Sequence, residues 1–297
     1  MKMKTAYKFL ALLLVIFTGS NSHAQINPLG AQYFNNRYLM NPSLAGATEG
    51  LKLNAAYRKL WTNVPGSPLT QSITADYGFE KVGLGLNAYN ESAGLLKQTR
   101  ITGSYAYHLQ LNSGEDRLHF GISLGFMNQR LDESDLQGNP NDPAIGLYNN
   151  RKAYIDGDFG IAYTSERLTL QASVPNMKSV FKKDVIKLDD VTTFYGAASY
   201  KFQLIQGAEG MDIEPIVAYR GVKGFDNIID AGAQLQIANQ QVFLMGLYHS
   251  TKTATFGLGM DFRKKYLISG SYTTQTSALS SYVNGSFEIN LRLNLGK

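Results

Sequence analysis

The sequence predicts an all-β fold: a transmembrane antiparallel β-barrel of about 14 strands with periplasmic termini. Four observations predict it. Apolar residues alternate with small or polar ones along most of the chain. The stretches mostly run about ten residues or more, the length of a tilted membrane strand (~9–11) rather than of a globular one (about 5–6). Beyond residue 24 no apolar run approaches the ~20 residues of a transmembrane helix. Finally, Gly 29, Tyr 18 and Phe 15 against Trp 1, with 17% charged residues, suit crowded backbones and a lipid-facing surface.

Read from the N-terminus, Lys2, Lys4 and Lys8 lead into the apolar run Phe9 to Phe17, followed by polar residues and Ser22-His23-Ala24. This is the pattern of a secretory signal peptide, residues 1–24, with cleavage after Ala24. Nine apolar residues are too few to span a bilayer core of ~30 Å. The chain has no cysteine, which excludes disulfides, thiolate metal sites and lipid attachment through cysteine. The formal charge of +5, less the three signal lysines, is +2. With no basic cluster of five or more residues, the balance argues against nucleic acid as a partner.

Residues 25–50 come next. They hold Pro28, Pro42, Gly46 and several asparagines, with no usable period. The segment is too apolar and aromatic for a free tail. It is expected to pack as a plug in the lumen or against the periplasmic rim, ahead of a barrel over residues 51–297.

The strands follow at 51–60, 69–79, 81–91, 98–111, 117–130, 154–164, 167–174, 191–204, 211–221, 226–238, 240–249, 252–262, 265–275 and 282–295. In 51–60, Leu51, Leu53, Ala55 and Tyr57 oppose Lys52, Asn54, Ala56 and Arg58. In 117–130, Leu118, Phe120, Ile122, Leu124 and Phe126 oppose His119, Gly121, Ser123 and Gly125. The last strand sets Phe287, Ile289, Leu291, Leu293 and Leu295 against Glu288, Asn290, Arg292 and Asn294. Such sets point to opposite faces of a sheet. Two segments fit less well: 211–221 contains Pro215, and 240–249 is apolar on both faces.

A soluble sandwich also alternates. Strand length, the glycine-rich charged face and the even strand count favour the membrane barrel. Connections after odd strands include the two longest, 131–153 and 175–190, and these are placed outside the cell. Connections after even strands are short, as periplasmic turns are. An open sheet edge is not viable in hydrocarbon, so strand 282–295 should pair with 51–60. Tyr38, Tyr57, Tyr89, Tyr163, Tyr200, Tyr248, Tyr266, Tyr272 and Tyr282 are expected in interfacial girdles.

Gly121-Ile122-Ser123-Leu124-Gly125 fits the G-x-S-x-G pattern of a hydrolase elbow, with Ser123 as nucleophile. An elbow needs a sharp turn at the serine and a helix after it. Here the alternation runs through Ser123 unbroken, so the string reads as strand and the protein as no enzyme. His108 and His119 fall on adjacent strands, both facing inward. They are expected to form a hydrogen-bonded pair rather than a metal site, and no cofactor motif occurs. Inward charges (Arg58, Asp76, Asp156, Asp158, Glu214, Arg220, Asp230, Asp261, Glu288, Arg292) mix both signs. That favours lumen salt bridges over a selectivity path.

Gln32-Tyr33, Asn36 and Asn41-Pro42-Ser43-Leu44-Ala45-Gly46 resemble the start of the PorP/SprF family, outer-membrane proteins of the type IX secretion and gliding system. Tyr57, Arg58, Trp61, Gly66, Ser67 and Pro68 match a second family run, with Leu60 where glutamine is common. Gly270-Ser271-Tyr272 and Ser286-Phe287-Glu288-Ile289 are weaker matches, and the chain ends Leu295-Gly296-Lys297 without the terminal aromatic of many barrels. The resemblance implies a non-enzymatic protein of the outer membrane of a Gram-negative bacterium, surrounded by outer-membrane lipid. Its implied partners are a secreted, adhesin-like surface protein with a C-terminal sorting domain, and periplasmic type IX secretion or peptidoglycan-binding components. The implied motif positions are Asn41, Pro42, Gly46, Tyr57, Arg58, Trp61, Gly66 and Pro68. Gly46 and Gly66 are expected to permit turns, and Arg58 to fix the N-terminal segment through a lumen contact. From the residues alone, a passive channel or hydrophobic-substrate transporter is the alternative.

Overall fold

The computed structural model describes residues 30–112, 114–132, 143–150, 153–178, 192–206, 210–222, 226–276 and 282–296. The expected signal peptide, residues 25–29 and parts of the two longest connections lie outside them. The first seven strands are β1 (Gly50–Leu60), β2 (Leu69–Phe79), β3 (Val82–Ala93), β4 (Leu96–Gln110), β5 (Arg117–Leu131), β6 (Tyr154–Thr164) and β7 (Leu168–Val174). The eighth, β8, runs in two pieces, Thr192–Tyr200 and Phe202–Ile205. The rest are β9 (Met211–Val222), β10 (Ile228–Ile237), β11 (Val242–His249), β12 (Thr253–Phe262), β13 (Tyr266–Thr273) and β14 (Ser286–Leu295). One short helix, α1 (Pro143–Asn149), lies in the β5–β6 connection. Among the described residues no helix is long and apolar enough to cross a membrane.

Each strand pairs antiparallel with the next, and β14 pairs with β1 from Leu51↔Leu295 to Leu60↔Ser286. The sheet is therefore a closed ring of fourteen staves with no free edge. Connections after odd strands gather at one end, the long-connection end. Those after even strands form the short-turn end, where β1 starts and β14 finishes.

The period-two pattern sorts side chains as expected. On β5, Leu124 is 66% exposed on the outer wall, while its neighbour Ser123 is 2% exposed inside. The outer wall is apolar and the inner wall polar, the reverse of a water-soluble sheet protein.

Four local features depart from the sequence-based expectation, each for a physical reason. The eighth strand breaks at Lys201, and its second piece carries a register shift, Ile205 and Gln203 pairing with Met211 and Asp212. Pro215 sits at that break: β9 resumes pairing with β8 only at Ile216↔Ser199, so the missing proline N–H falls where the ladder is already interrupted. The last strand begins at Ser286 rather than residue 282. Its preceding residues bond to side chains of the β1–β2 connection instead, with Asn284 N–H donating to Asn63 Oδ1 (3.0 Å) and Asn63 Nδ2 to the Tyr282 carbonyl (3.1 Å). Tyr38 and Tyr89 are lumen residues, not girdle residues. Tyr38 lies on the N-terminal segment, and Tyr89 faces inward and donates to Glu91.

The doubly apolar β11 also finds its reason. Phe243, Met245 and Leu247 point inward and are buried. Phe243 and Met245 stand opposite Gly259 and Gly257 of β12. A Cβ on either glycine would strike the facing side chain, so the glycines make room for the bulk.

Candidate functional site

Residues 30–49 lie inside the ring. Gly30 lies beside Glu288 on β14, a residue whose cross-strand partner Arg58 is two positions from the end of β1. Gly30 is thus near the long-connection end, whereas Gly50 opens β1 at the short-turn end. Two 3-10 turns, Arg37–Leu39 and Pro42–Leu44, fold the stretch between. Asn41 caps the second. Its Oδ1 accepts from Ser43 N–H (3.1 Å) and Ser43 Oγ (2.7 Å), and Pro42 takes the first helical position, where no N–H is needed.

This turn presses directly on the wall. A Cβ at Gly121 of β5 would overlap the backbone of Ser43, and one at Gly160 of β6 would overlap Asn41 Oδ1. Gly121 and Gly160 are register partners, so together they form a bare patch of wall beneath Asn41–Ser43. Gly83 and Gly85 of β3 do the same beneath Ala45 and Tyr38.

Polar anchors hold the segment around the ring. Glu288 accepts from Ala31 N–H (2.8 Å) and from the Gln32 amide. Arg37 donates to Glu214 and to Thr169 Oγ1 (3.0 Å). Tyr38 meets Ser104 Oγ at 2.9 Å, Ser173 donates to the Met40 carbonyl (2.6 Å), and Asn41 Nδ2 donates to the Ile161 carbonyl (3.2 Å). Gly46 N–H donates to Asp76 (3.0 Å). Tyr33 and Met40 also pack against Tyr195, Ile216 and Leu247, adding an apolar contact to the polar ones.

Asp230 is the most heavily used of these anchors. It is fully buried and accepts from Tyr33 Oη (2.7 Å), Arg220 Nε (2.8 Å), Arg220 Nη2 (3.1 Å) and His249 Nδ1 (2.6 Å). His249 Nε2 lies 2.8 Å from Thr255 Oγ1. Hydroxyl, imidazole and carboxylate are aligned as in a hydrolytic triad, but Thr255 is 1% exposed and its hydroxyl also meets Thr273 Oγ1 at 2.7 Å. The hydroxyl is thus buried and hydrogen-bonded on both sides, and the carboxylate at the other end of this hydrogen-bond chain holds Tyr33.

His108 and His119 are register partners with Nδ1 atoms 2.7 Å apart. His108 Nε2 faces the Ala45 carbonyl at 3.1 Å, and His119 Nε2 faces Thr164 Oγ1 at 2.7 Å. A carbonyl only accepts, so His108 carries its proton on Nε2 and accepts at Nδ1 from His119. The pair is a hydrogen-bond chain that ends on the N-terminal segment. Among the described residues no group of three or more His, Cys, Asp or Glu is placed to hold a metal ion.

The motif positions fall into two groups. Asn41, Pro42 and Gly46 belong to the lumen segment. Gly46 has φ +59° and faces the β2 and β3 backbones so closely that any side chain would collide. Arg58 is buried on β1 opposite Glu288, the carboxylate that receives Ala31 and Gln32. The other four lie outside the lumen. Tyr57 is exposed on the outer wall, and Trp61, Gly66 and Pro68 lie in the β1–β2 connection. There Trp61 (φ +46°) donates its N–H to the Gly285 carbonyl (3.1 Å). Gly66 (φ +70°) accepts from Gly94 N–H (2.8 Å), and the Pro68 carbonyl accepts from Leu60 N–H (2.9 Å).

Ser123 donates to Asp158 (2.6 Å) on an unbroken strand, with no histidine in contact. Several lumen charges form ion pairs, while Asp76 accepts from a backbone N–H. Arg220 meets Asp230 at 2.8 Å, Arg100 meets Asp158 at 2.6 Å, and Arg292 meets Asp261. Arg37 and Arg100 escaped the sequence reading. Arg37 lay in a segment without periodicity, and Arg100 lay within the expected strand 98–111 without being singled out among the inward charges. Among the described residues a cavity of about 100 Å³ lies toward the long-connection end and one of about 310 Å³ toward the short-turn end. Tyr38 lines both, so the segment stands between them.

The chain was compared with known proteins. Among solved structures it is similar to the outer-membrane protein Omp33 of Acinetobacter baumannii (7% identity, 84% of this chain and all of that one, TM-score 0.48). It is likewise similar to the toluene transporter TbuX of Ralstonia pickettii (10% identity, 93% and 96% covered, TM-score 0.49). A mutant porin of Rh. blastica gives 10% identity, 84% and 99% covered, and a TM-score of 0.35. No curated protein matches the sequence. The sequence profile of the type IX secretion system membrane proteins PorP/SprF matches residues 22–293, nearly the whole chain. The protein, a closed barrel of the outer membrane, therefore belongs to the PorP/SprF family of type IX secretion system membrane proteins.

Proposed function

We propose that the chain is a non-enzymatic, self-plugged barrel that assists type IX export or surface anchoring of a large adhesin-like cargo. Residues 1–24 are removed on export, residues 25–50 form the plug, and 51–297 the barrel. The cargo, carrying a C-terminal sorting domain, meets the outer connections 131–153 and 175–190. Periplasmic secretion or peptidoglycan-binding components meet the short-turn end.

One observation carries this reading: the chain's own residues 30–49 cross the lumen, anchored on β2, β4, β6, β7, β9, β10 and β14. A barrel filled in this way works through its rims and connections, not as a conduit. The motif residues fit that role. Asn41, Pro42 and Gly46 shape the plug, Arg58 supports its Glu288 anchor, and Tyr57, Trp61, Gly66 and Pro68 shape the outer rim.

Two results test it. Deletion of residues 133–152, inside the longest connection, should leave a folded barrel that no longer retains cargo at the cell surface; unchanged retention would remove the loop from the mechanism. The purified mature chain in a planar bilayer should show no steady porin-like conductance. Robust open-channel current would support the passive-channel alternative instead.

A further inference from the structure

Phe262 and Tyr266 face each other across the β12–β13 hairpin and point outward, 48% and 53% exposed. Between them the chain reverses through Arg263 (φ +55°) and Lys264 (φ +56°). A two-residue turn with both φ positive is the place for Asn-Gly; here it carries two cations, with Lys265 directly after. The turn is held firmly. Lys265 N–H donates to the Phe262 carbonyl (3.0 Å), Asn294 N–H to Lys265 (2.8 Å), and Asn294 Nδ2 to the Lys264 carbonyl (2.5 Å).

We propose that Arg263, Lys264 and Lys265 form a binding site for the phosphate headgroup of an anionic phospholipid. The three side chains are exposed, and among the described residues no carboxylate pairs with them. Asp261, the nearest acid in sequence, turns inward to Arg292. None of the other described turns at this end carries a net positive charge: Glu80 stands with Lys81, Glu166 with Arg167, Glu115 and Asp116 with Arg117, and 238–241 is uncharged.

The flanking rings indicate lipid rather than a soluble anion. The Arg263 guanidinium lies 5.2 Å from the Phe262 ring centre, and Lys265 Nζ lies 5.5 Å from that of Tyr266. Each cation therefore rides on an outward ring that contacts acyl chains, which places it at headgroup depth. Arginine offers a bidentate fork to phosphate, and the two lysines add point charge. The site depends on the barrel lying in a membrane, not on the cargo role proposed above.

The test uses the mature chain in nanodiscs of equimolar phosphatidylglycerol and phosphatidylcholine, with retained lipid counted by native mass spectrometry. Wild type should retain phosphatidylglycerol selectively. R263Q/K264Q/K265Q should lose that selectivity by on the order of tenfold or more, at roughly 1 kcal/mol per basic residue near an anionic surface. R167Q, on another turn, should keep it. Heat-modifiable gel mobility establishes that each variant is folded; if the triple variant is not, K264Q and K265Q alone must each show a partial loss. Undiminished selectivity in the folded variants would overturn the proposal. So would equal displacement of the lipid by inorganic phosphate, which would mark a free-anion site.

Discussion

Asp230→Ala is expected to destabilise the barrel by about 3–5 kcal/mol, the cost of removing one partner from a buried ion pair. Arg220 is 2% exposed and donates two hydrogen bonds to this carboxylate. Without it a guanidinium remains in the wall with no counter-charge, and both Tyr33 and His249 lose their acceptor. The shift should appear in urea titrations of the refolded barrel, followed by tryptophan fluorescence of Trp61 and by gel mobility. Asp230→Asn keeps the shape and one acceptor oxygen but not the charge, and should fall between alanine and wild type. The double variant Asp230→Leu/Arg220→Met should recover much of the loss, because an apolar pair of similar volume leaves no charge stranded. Recovery would assign the loss to the orphaned charge. An Asp230→Ala variant as stable as wild type would show that the ion pair and the Tyr33 anchor contribute nothing net.

How much of this was legible beforehand depends on the kind of contact. The wall was legible nearly strand by strand, because period-two alternation is a local signal and every stave repeats it. Closure of β14 on β1 followed from the cost of a bare edge in lipid. Where the reading slipped, a long-range partner had intervened. Residues 282–285 alternate like the strand they precede, but bond to Asn63 and Thr62 in a loop more than two hundred positions away. Pro215 looked like evidence against a central strand, since the break at Lys201 that accommodates it lies on a neighbouring stave.

The lumen site was legible only in part. Adjacent strands and a shared face brought His108 and His119 together on paper as they are in space. The mixed signs of the inward charges also pointed to pairing. The partners of the N-terminal segment had no such signal. Tyr33 and Asp230 are 197 positions apart, and nothing in either neighbourhood indicates the other. Gly121 drew notice for a hydrolase pattern, whereas its physical role is to leave room for Ser43.

That role predicts the second large effect. Gly121→Val should convert a silent barrel into a conducting one, seen as steady current steps in a planar bilayer where the wild-type protein gives none. The valine Cβ would overlap the Ser43 backbone, and its methyl groups would reach further. β5 cannot retreat, being paired along its length to β4 and β6, and its φ is ordinary, so the strand itself accepts valine readily. The Pro42–Leu44 turn is the side that must move. It is a single short turn outside the sheet ladder, and its displacement strips Asn41 from its wall acceptors. Gly103→Val is the matched control: it lies one stave away, points outward, and its Cβ would meet nothing nearer than 4.0 Å. It should fold normally and stay silent. Gly160→Val, the register partner of Gly121 beneath the same turn, should open the lumen as Gly121→Val does. If folded Gly121→Val and Gly160→Val barrels remained silent, the segment would not be what closes the lumen, and a role exerted through the rims alone would lose its support.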